Sequence, residues 1–213
     1  MQNKRKNSVE HEDQQVEEIK KFIKTYGPWI VAGVVIGLGS LFGWRTYQDN
    51  QVAAAQARTA VYQEALETLQ RSSADEGLLV AEQLLEEVAG SEHAGLIRLQ
   101  MAQRLVSIGD FSAAQNQLQQ ALNEVKSDEL KSLTRTRLAR IAIELGQYDE
   151  AEAHLNAVRQ NAYKGLVAEI RGDLHYARGN FSAARESYLL AQTEQAETAS
   201  QALQMKIDNL AGQ

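Results

Sequence analysis

Apolar residues follow two different patterns along this 213-residue chain. Between Tyr26 and Trp44, nineteen residues carry no charge, and apolar side chains occupy every face of a helix. From about residue 52 onward, apolar residues instead recur every three or four positions among polar ones, as they do on amphipathic helices. A nineteen-residue helix spans roughly 28 Å, which is about the thickness of the hydrocarbon core of a bilayer. The first pattern therefore predicts a transmembrane helix over residues 26–44.

Aromatic residues mark both ends of this segment, namely Tyr26, Trp29, Trp44 and Tyr47. Such rings prefer the headgroup level of a membrane. A buried core helix is one alternative, but core helices are usually shorter and rarely apolar all round. A cleaved signal peptide is another alternative, because the small residues 53–55 downstream have the spacing of a cleavage site. The long preceding tail and the long apolar stretch favour an uncleaved anchor over that alternative.

Basic residues predict the orientation of the anchor. Six of them precede it, namely Lys4, Arg5, Lys6, Lys20, Lys21 and Lys24, and few follow it closely. Because basic flanks stay on the cytoplasmic side, we expect residues 1–25 to form a cytoplasmic tail. Residues 45–213 then lie on the far side of the membrane, which is the periplasm for a bacterial inner membrane.

The end of the tail has a helical periodicity of its own. Apolar side chains recur there at three-to-four spacing beside lysines, at Val16, Ile19, Phe22, Ile23 and Tyr26. This arrangement predicts a juxtamembrane amphipathic helix that lies on anionic lipid. A solvated tail is the alternative.

Glycines recur at four-residue spacing inside the anchor, first at Gly33 and Gly37 and again at Gly39 and Gly43. This spacing lets a second membrane helix approach closely, so these four residues are a candidate helix contact. The same spacing is common in membrane helices that have no partner, and the sequence leaves both interpretations open.

The second half of the chain repeats itself. Three similar segments begin at Met101, Leu138 and Arg171. Their turn glycines, Gly109, Gly146 and Gly179, are separated by 37 and 33 residues. An aromatic residue follows each glycine by two places, and an alanine follows it by five. This pattern resembles the tetratricopeptide repeat, in which two antiparallel helices are joined by a glycine turn.

The residue types have physical reasons, because glycine ends the first helix in a left-handed conformation and small residues let the two helices pack closely. We predict an all-α fold: an N-terminal transmembrane helix, then a tetratricopeptide-like α-solenoid with a C-terminal capping helix. The predicted repeats lie near residues 62–94, 95–128, 132–164 and 165–197, with the capping helix at 198–211. The first repeat lacks the turn glycine and is degenerate, and the 37-residue step predicts a longer connection around residues 127–133.

Charge and motifs argue against catalysis and nucleic-acid binding. After residue 44, sixteen Lys and Arg face twenty-three Asp and Glu, an acidic balance that suits phosphate backbones poorly. The chain has no cysteine, its four histidines are scattered, and no phosphate loop or nucleophile motif is present. We expect no enzyme activity, no cofactor and no metal.

Solenoids of this class bind extended peptides or helices on the surface formed by the first helix of each repeat. By analogy with the repeat family, the candidate groove residues are Leu99, Gln103, Val106, Thr136, Arg140, Ile143, Glu169, Asp173 and Tyr176. Packing between repeats is an alternative role for Leu99, Val106 and Ile143.

The whole chain resembles the YfgM family of ancillary subunits of the SecYEG translocon. The resemblance covers the tail VEEIKKFIKTYGPWI, the glycine-rich anchor and the last repeat, GNFSAARESYLLA. It implies a bacterial inner-membrane protein with a periplasmic repeat domain that works with SecYEG and the periplasmic chaperone PpiD, and that helps to transfer nascent or client polypeptides to chaperones. A scaffold for another envelope-assembly complex is one alternative, and a stress-signalling regulator that acts through the cytoplasmic tail is another.

Overall fold

The structure is a computed structural model that describes the backbone of residues 3–195 and 200–210 and the side chains of those residues from Lys20 onward. This part of the chain forms nine α-helices and one 3₁₀ helix and contains no strand, which confirms the all-α prediction. The helices are α1 (Asn3–Arg71), α2 (Ala74–Glu87), α3 (Glu92–Ser107), α4 (Phe111–Glu124), α5 (Asp128–Glu144), α6 (Tyr148–Asn156), the 3₁₀ helix (Asn161–Tyr163), α7 (Lys164–Ala177), α8 (Phe181–Gln195) and α9 (Gln201–Asn209).

The chain forms two compact units, Met1–Gln56 and Ala57–Gln213. Helix α1 extends from Asn3 to Arg71 and contains the apolar segment. Polar side chains inside the first unit bond to the backbone of their own helix: Ser40 Oγ donates to the Ile36 carbonyl at 2.8 Å, and Thr46 Oγ1 donates to the Phe42 carbonyl at 3.0 Å. Such internal bonds suit a segment that has no water around it.

The apolar segment of α1 is exposed. Between Lys20 and Arg71 the helix contains an eighteen-residue window of mean hydropathy 1.5, none of which is buried. Side chains such as Val35 and Phe42 therefore have no protein core to contact. This finding argues against the alternative of a core helix, and it makes α1 the candidate membrane span among the residues that the structure describes.

The repeat domain has a core of four successive clusters, each built from three consecutive helices. The first joins the end of α1 with α2 and α3, the second α3 with α4 and α5, the third α5 with α6 and α7, and the fourth α7 with α8 and α9. Amphipathic helices that bury one apolar stripe against their neighbours produce such a stack. This arrangement confirms the predicted solenoid.

Glycine turns join the two helices of the later pairs, α3 with α4, α5 with α6 and α7 with α8. Gly109, Gly146 and Gly179 have φ values of 82°, 72° and 78°, so the predicted left-handed conformation is confirmed. The first of these turns has the bonds of a Schellman motif, since Asp110 N–H donates to the Leu105 carbonyl and Gly109 N–H donates to the Val106 carbonyl, both at 3.0 Å. Asp110 then caps α4, because its carboxylate accepts from the Ala113 N–H at 2.9 Å.

Small residues allow the helices of each pair to pack closely. In the first two of these pairs, Ala102 and Ala139 stand seven residues before the turn glycine and are buried. The third pair has Gly172, where an added Cβ would lie 2.3 Å from the ring of Tyr188. Tyr188 stands where the preceding pair has Leu155, and the glycine makes room for the larger ring.

Two features of the helix pairs differ from what the repeat spacing implies. Helix α2 begins at Ala74, one helical turn earlier than a 33-residue step implies, because Ser73 caps it by accepting the Glu76 N–H at 3.4 Å. The 37-residue step does not lengthen the connection around residues 127–133. Instead, α5 begins at Asp128 after a short loop. Helices α4 and α5 run for fourteen and seventeen residues, against nine and fourteen for α6 and α7, so the extra residues lie in helices.

Helix α9 packs against the last pair through Leu203, Ile207 and Leu210, which are buried with Ala168 of α7 and Tyr188 of α8. Together with Ala199, which lies outside the described residues, these are the residues whose three-to-four spacing predicts an amphipathic capping helix. Ser200 caps α9 by accepting the Leu203 N–H at 3.1 Å. Residues 198, 199 and 211 of the predicted capping helix lie outside the described residues.

Candidate protein-interaction surface

The first helices of the last three pairs, α3, α5 and α7, carry the nine predicted groove residues, and we call the surface they form the helix-A face. Two of the nine residues lie inside the domain. Leu99 is buried with Leu138 and Ile141 of the next pair. Thr136 is 2% exposed, and its hydroxyl donates to the Leu133 carbonyl at 2.8 Å. The structure thus corrects the prediction at these two positions, because packing between successive pairs removes them from the accessible surface.

A hollow of about 200 Å³ lies between α3 and α5, and we call it the first hollow. Its apolar lining comes from Ala102, Val106, Leu118 and Ile141, and its polar lining from Gln103, Arg137 and Arg140. Val106 is 39% exposed although it is aliphatic. The hollow therefore offers apolar surface to a side chain that comes from outside the domain.

A second hollow, of about 530 Å³, lies between α5 and α7. It is lined by Arg140, Ile143, Glu144, Asp173, Tyr176 and Ala177. Arg140 lines both hollows, so the two are neighbours on the helix-A face. Tyr176 is half exposed, and its ring lies 5.4 Å from that of Phe181. Six of the nine predicted groove residues therefore line two adjoining hollows.

The remaining predicted residue, Glu169, belongs to a polar cluster at the C-terminal end of the domain. Lys206 of α9 places its Nζ 2.9 Å from Glu169 Oε1 and 2.7 Å from Asp173 Oδ1. Tyr188 Oη donates to the same Asp173 oxygen at 2.8 Å. The Lys206 ammonium also lies 5.5 Å from the centre of the Tyr188 ring. Helix α9 thus occupies the carboxylates that the sequence assigned to a partner.

Electrostatics favour the charged forms in this cluster. Burial is the largest single cause and raises the pKa of Glu169, but the hydrogen bond and charge of Lys206, with Gln195 and Arg140, together outweigh it, so the pKa is lowered. Burial also lowers the pKa of Lys206, but the bonds to Asp173 and Glu169 outweigh it and the pKa is raised. Burial and the neighbouring Asp173 raise the pKa of Tyr188, whose phenol stays neutral. The cluster therefore holds an ammonium and a carboxylate together across the neutral pH range.

The anchor glycines lie on the exposed surface of α1. A Cβ added at Gly33, Gly37, Gly39 or Gly43 would have no neighbour within 4 Å. Nothing in the first unit fills the surface that these glycines leave, so their predicted role as a membrane helix contact stays a prediction.

Sequence reasoning missed two cations on this part of the domain. Helical spacing could have identified Arg137, since it stands three residues before Arg140 and shares its face of α5. Lys206 gives no local signal, because its partner Glu169 is 37 residues away. In the described part of the chain, no group of three or more His, Cys, Asp or Glu residues is placed to hold a metal ion.

Comparison with known proteins gives the same fold. MamA from Desulfovibrio magneticus RS-1 is 17% identical and superposes with a TM-score of 0.55, covering 74% of this chain and 83% of that one. A MamA double mutant is 16% identical and superposes with a TM-score of 0.56, covering 72% and 82%. At this identity the likeness shows the fold alone. A family model described as a tetratricopeptide repeat-like domain matches residues 20–212.

Three curated relatives match almost the full length of the chain. Each is called an ancillary SecYEG translocon subunit. The Escherichia coli relative is 30% identical over 202 residues, which is 94% of this chain and 97% of the relative. The chain belongs to the YfgM family of tetratricopeptide repeat-like proteins.

Two further YfgM relatives agree. The Haemophilus influenzae protein is 29% identical over 199 residues, and the Aggregatibacter actinomycetemcomitans protein is 30% identical over 202. Each match covers 93% of this chain and 97% of the relative. The shared length therefore includes the anchor as well as the repeats, as the sequence resemblance implies.

Proposed function

We propose that this chain is a single-pass inner-membrane protein that acts as an ancillary subunit of the SecYEG translocon. The observation that supports this function is the match, over 94% of the chain, to a relative that bears that name. The exposed apolar segment of α1 would hold the repeat domain at the membrane. The domain acts by binding other polypeptides and not by catalysis, which is the role that repeat solenoids serve.

In this proposal the tail of residues 1–25 is cytoplasmic and the repeat domain is periplasmic. Lys20, Lys21 and Lys24 support this orientation, because their side chains are exposed at the start of the apolar segment. The cysteine-free chain allows a direct test: Ser8→Cys and Ser182→Cys each introduce a single thiol. A membrane-impermeant maleimide added to intact spheroplasts should label the Ser182→Cys protein alone, and labelling of the Ser8→Cys protein alone would reverse the proposed orientation.

The helix-A face is the part of the domain that we assign to client polypeptides. Its two hollows place the exposed side chains of Val106 and Tyr176 beside polar groups. A groove with apolar and polar sites in a row suits an extended chain, whose side chains alternate in direction. In the finer form of the proposal, the domain receives chains that emerge from SecYEG and passes them to periplasmic chaperones such as PpiD.

Purification in mild detergent tests the proposed association. The tagged full chain should recover SecYEG subunits from membranes, and PpiD should be found in the same fraction. Recovery of another envelope-assembly complex without SecYEG would overturn the proposal and favour the scaffold alternative.

A matched pair of variants separates the anchor from the tail. Replacement of residues 26–44 by an unrelated transmembrane helix tests the anchor, and deletion of residues 3–15 tests the tail. We expect SecYEG recovery to survive the tail deletion. If deletion of the tail abolishes the cellular phenotype while SecYEG recovery stays intact, the result would favour the signalling alternative.

A further inference from the structure

The first hollow contains two arginines, Arg137 and Arg140, of which Arg140 interacts with the carboxylate of Glu169 only beyond ion-pair distance. Arg137 is half-buried, and its guanidinium donates to the Leu99 carbonyl over 3.5 Å, a long hydrogen bond. Arg140 is exposed and lines the same hollow. Among the residues that the structure describes, neither arginine has a carboxylate within ion-pair distance. Arginine has five N–H donors, so most of the donors of Arg137 are not used by the domain.

Several partly buried cations of the same domain are paired, whereas Arg104 donates to the Ser72 carbonyl and Arg171 donates to the Asn156 side chain. Arg98 lies 3.1 Å from Glu124, and Arg178 reaches both Asp149 at 2.8 Å and Glu152 at 2.9 Å. Lys206 is paired as well. A cation that is partly removed from water is stabilised by an opposite charge, and in the first hollow the half-buried Arg137 and the exposed Arg140 lie beside an apolar surface. Burial is the largest cause that lowers the pKa of Arg137, and Arg140 lowers it further, against an opposite effect of Tyr163.

The apolar part of the first hollow limits what can bring this counter-charge. About 200 Å³ holds one large side chain, whereas sites for small-molecule ligands measure roughly 300–1,000 Å³. Val106, Ile141 and Leu118 offer that side chain an aliphatic environment. On an extended chain, residues two apart point to the same side. A segment with an apolar residue and an acidic residue at this spacing presents both groups to one surface.

We propose that the first hollow binds an extended polypeptide segment through an apolar side chain and, two residues away, a carboxylate held by Arg137 and Arg140. This inference rests on the proposed function, since it assigns a sequence preference to the client site of the helix-A face. The second hollow contains Glu144 and Asp173, so the carboxylate binds on the α3 side of Arg140 and not on the α7 side. The face thus selects clients by charge as well as by apolar content.

Three fluorescent peptides test the proposal against the full chain in detergent micelles. They share the form Gly-Ser-Leu-Thr-X-Ser-Gly, in which X is Asp, Asn or Lys. Fluorescence anisotropy should give a dissociation constant about tenfold lower for Asp than for Asn, because a charge-assisted bond is lost, and the highest constant for Lys. The preference should weaken with added salt, as screening requires. Equal binding of the three peptides, or no measurable binding of the Asp peptide, would overturn the proposal.

Variants identify the side chains that are responsible for the preference for the Asp peptide. R137Q and R140Q should each remove the preference for Asp over Asn, while R159Q, at an exposed arginine outside the first hollow, should leave it unchanged. R140Q keeps the test valid if R137Q fails to fold, because Arg140 is exposed. R140E should reverse the preference towards the Lys peptide. If R140Q weakens Asp and Asn peptides equally, its role is structural and the proposal is wrong.

Recovery of SecYEG distinguishes this inference from the proposed function. If wild-type chain recovers SecYEG but shows no preference for the Asp peptide, only the inference fails. If the preference is present but SecYEG is not recovered, the proposed function fails and the peptide site stands as a property of the helix-A face.

Discussion

Cationic side chains at the C-terminal end of the repeat domain are paired with carboxylates, and those in the hollow at its middle are not. At the end, Lys206 of α9 is held by Glu169 and Asp173 of α7, so the chain supplies both partners. At the middle, Arg137 and Arg140 line an open apolar hollow without a carboxylate from the described residues. Since both places contain similar side chains in a similar helix stack, the fold does not impose the difference.

The comparison shows what a capping helix does for a solenoid. Each helix pair leaves an apolar face and polar groups for the next pair to cover. At the end of the stack, α9 supplies Leu203, Ile207 and Leu210 to the core and Lys206 to the carboxylates. The first hollow lies within the stack and is left open, which is where a partner has room to bind.

The largest effect on stability should come from filling the space under Tyr188 at the C-terminal end of the domain. Gly172→Ala places a Cβ against the tyrosine ring, and overpacking of this kind costs about 1–3 kcal/mol of unfolding free energy. Thermal or chemical unfolding of the full chain in detergent, followed by circular dichroism, measures the change. Adding Tyr188→Leu should restore most of the loss, because it recreates the combination of Ala139 and Leu155 in the preceding pair. A double variant as unstable as the single one would contradict the packing account.

A smaller loss should follow Lys206→Met. This change leaves Glu169 and Asp173 facing each other without their cation, which we expect to cost about 1–2 kcal/mol, since the lysine is still one-third exposed. Hydrogen exchange of the α9 amides should rise with it. Unchanged protection of α9 would show that apolar packing alone holds this helix.

Acid and alkali should weaken the packing of α9 at the C-terminal end of the domain, each in its own pH range. The pKa of Glu169 is lowered in the folded chain, so its contribution is complete above the ordinary value of 4.5 and is lost as the pH falls below it. The pKa of Lys206 is raised, so its contribution is complete below 10.5 and is lost as the pH rises through the folded value. Protection of α9 should therefore be greatest between about pH 5 and pH 10. In the Lys206→Met protein, the loss on the alkaline side should shrink.

The smallest effect on stability should come from Arg137→Met at the open hollow. The change removes one long hydrogen bond and a half-buried charge that has no carboxylate partner, so the unfolding free energy should stay within about 0.5 kcal/mol of wild type. The same unfolding experiment gives a direct comparison with Lys206→Met. A loss as large as that of the lysine variant would mean that Arg137 is part of the framework and that the middle of the domain does not differ from its C-terminal end.

Much of this fold can be predicted because its signals are local. A glycine such as Gly146 ends a helix through its own backbone conformation, and apolar residues at three-to-four spacing define the buried stripe. The first pair has no such glycine, and Ser73 caps α2 one turn earlier than repeat spacing implies. The length of a repeat also does not show whether extra residues lengthen a loop or a helix, and here they lengthen helices, including α5.

The candidate site is harder to predict because burial is a property of the stack. Leu99 and Thr136 stand on the predicted face of their helices, yet the next pair covers them. Glu169 stands at the equivalent position of α7 and pairs with Lys206 from a helix that the repeat pattern does not contain. Val106, Arg140 and Tyr176 lie further along the same helices and stay accessible, as the family analogy implies.

Photocrosslinking in living cells tests the central claim, that the helix-A face is where this chain binds other polypeptides. A photoreactive amino acid is placed at Val106, which lines the first hollow, or at Leu190 of α8, which is exposed but lines neither hollow. Both substitutions leave the anchor and the core unchanged. We predict adducts with exported polypeptides from position 106 and few from position 190. Adducts from position 190 with none from position 106 would contradict the account.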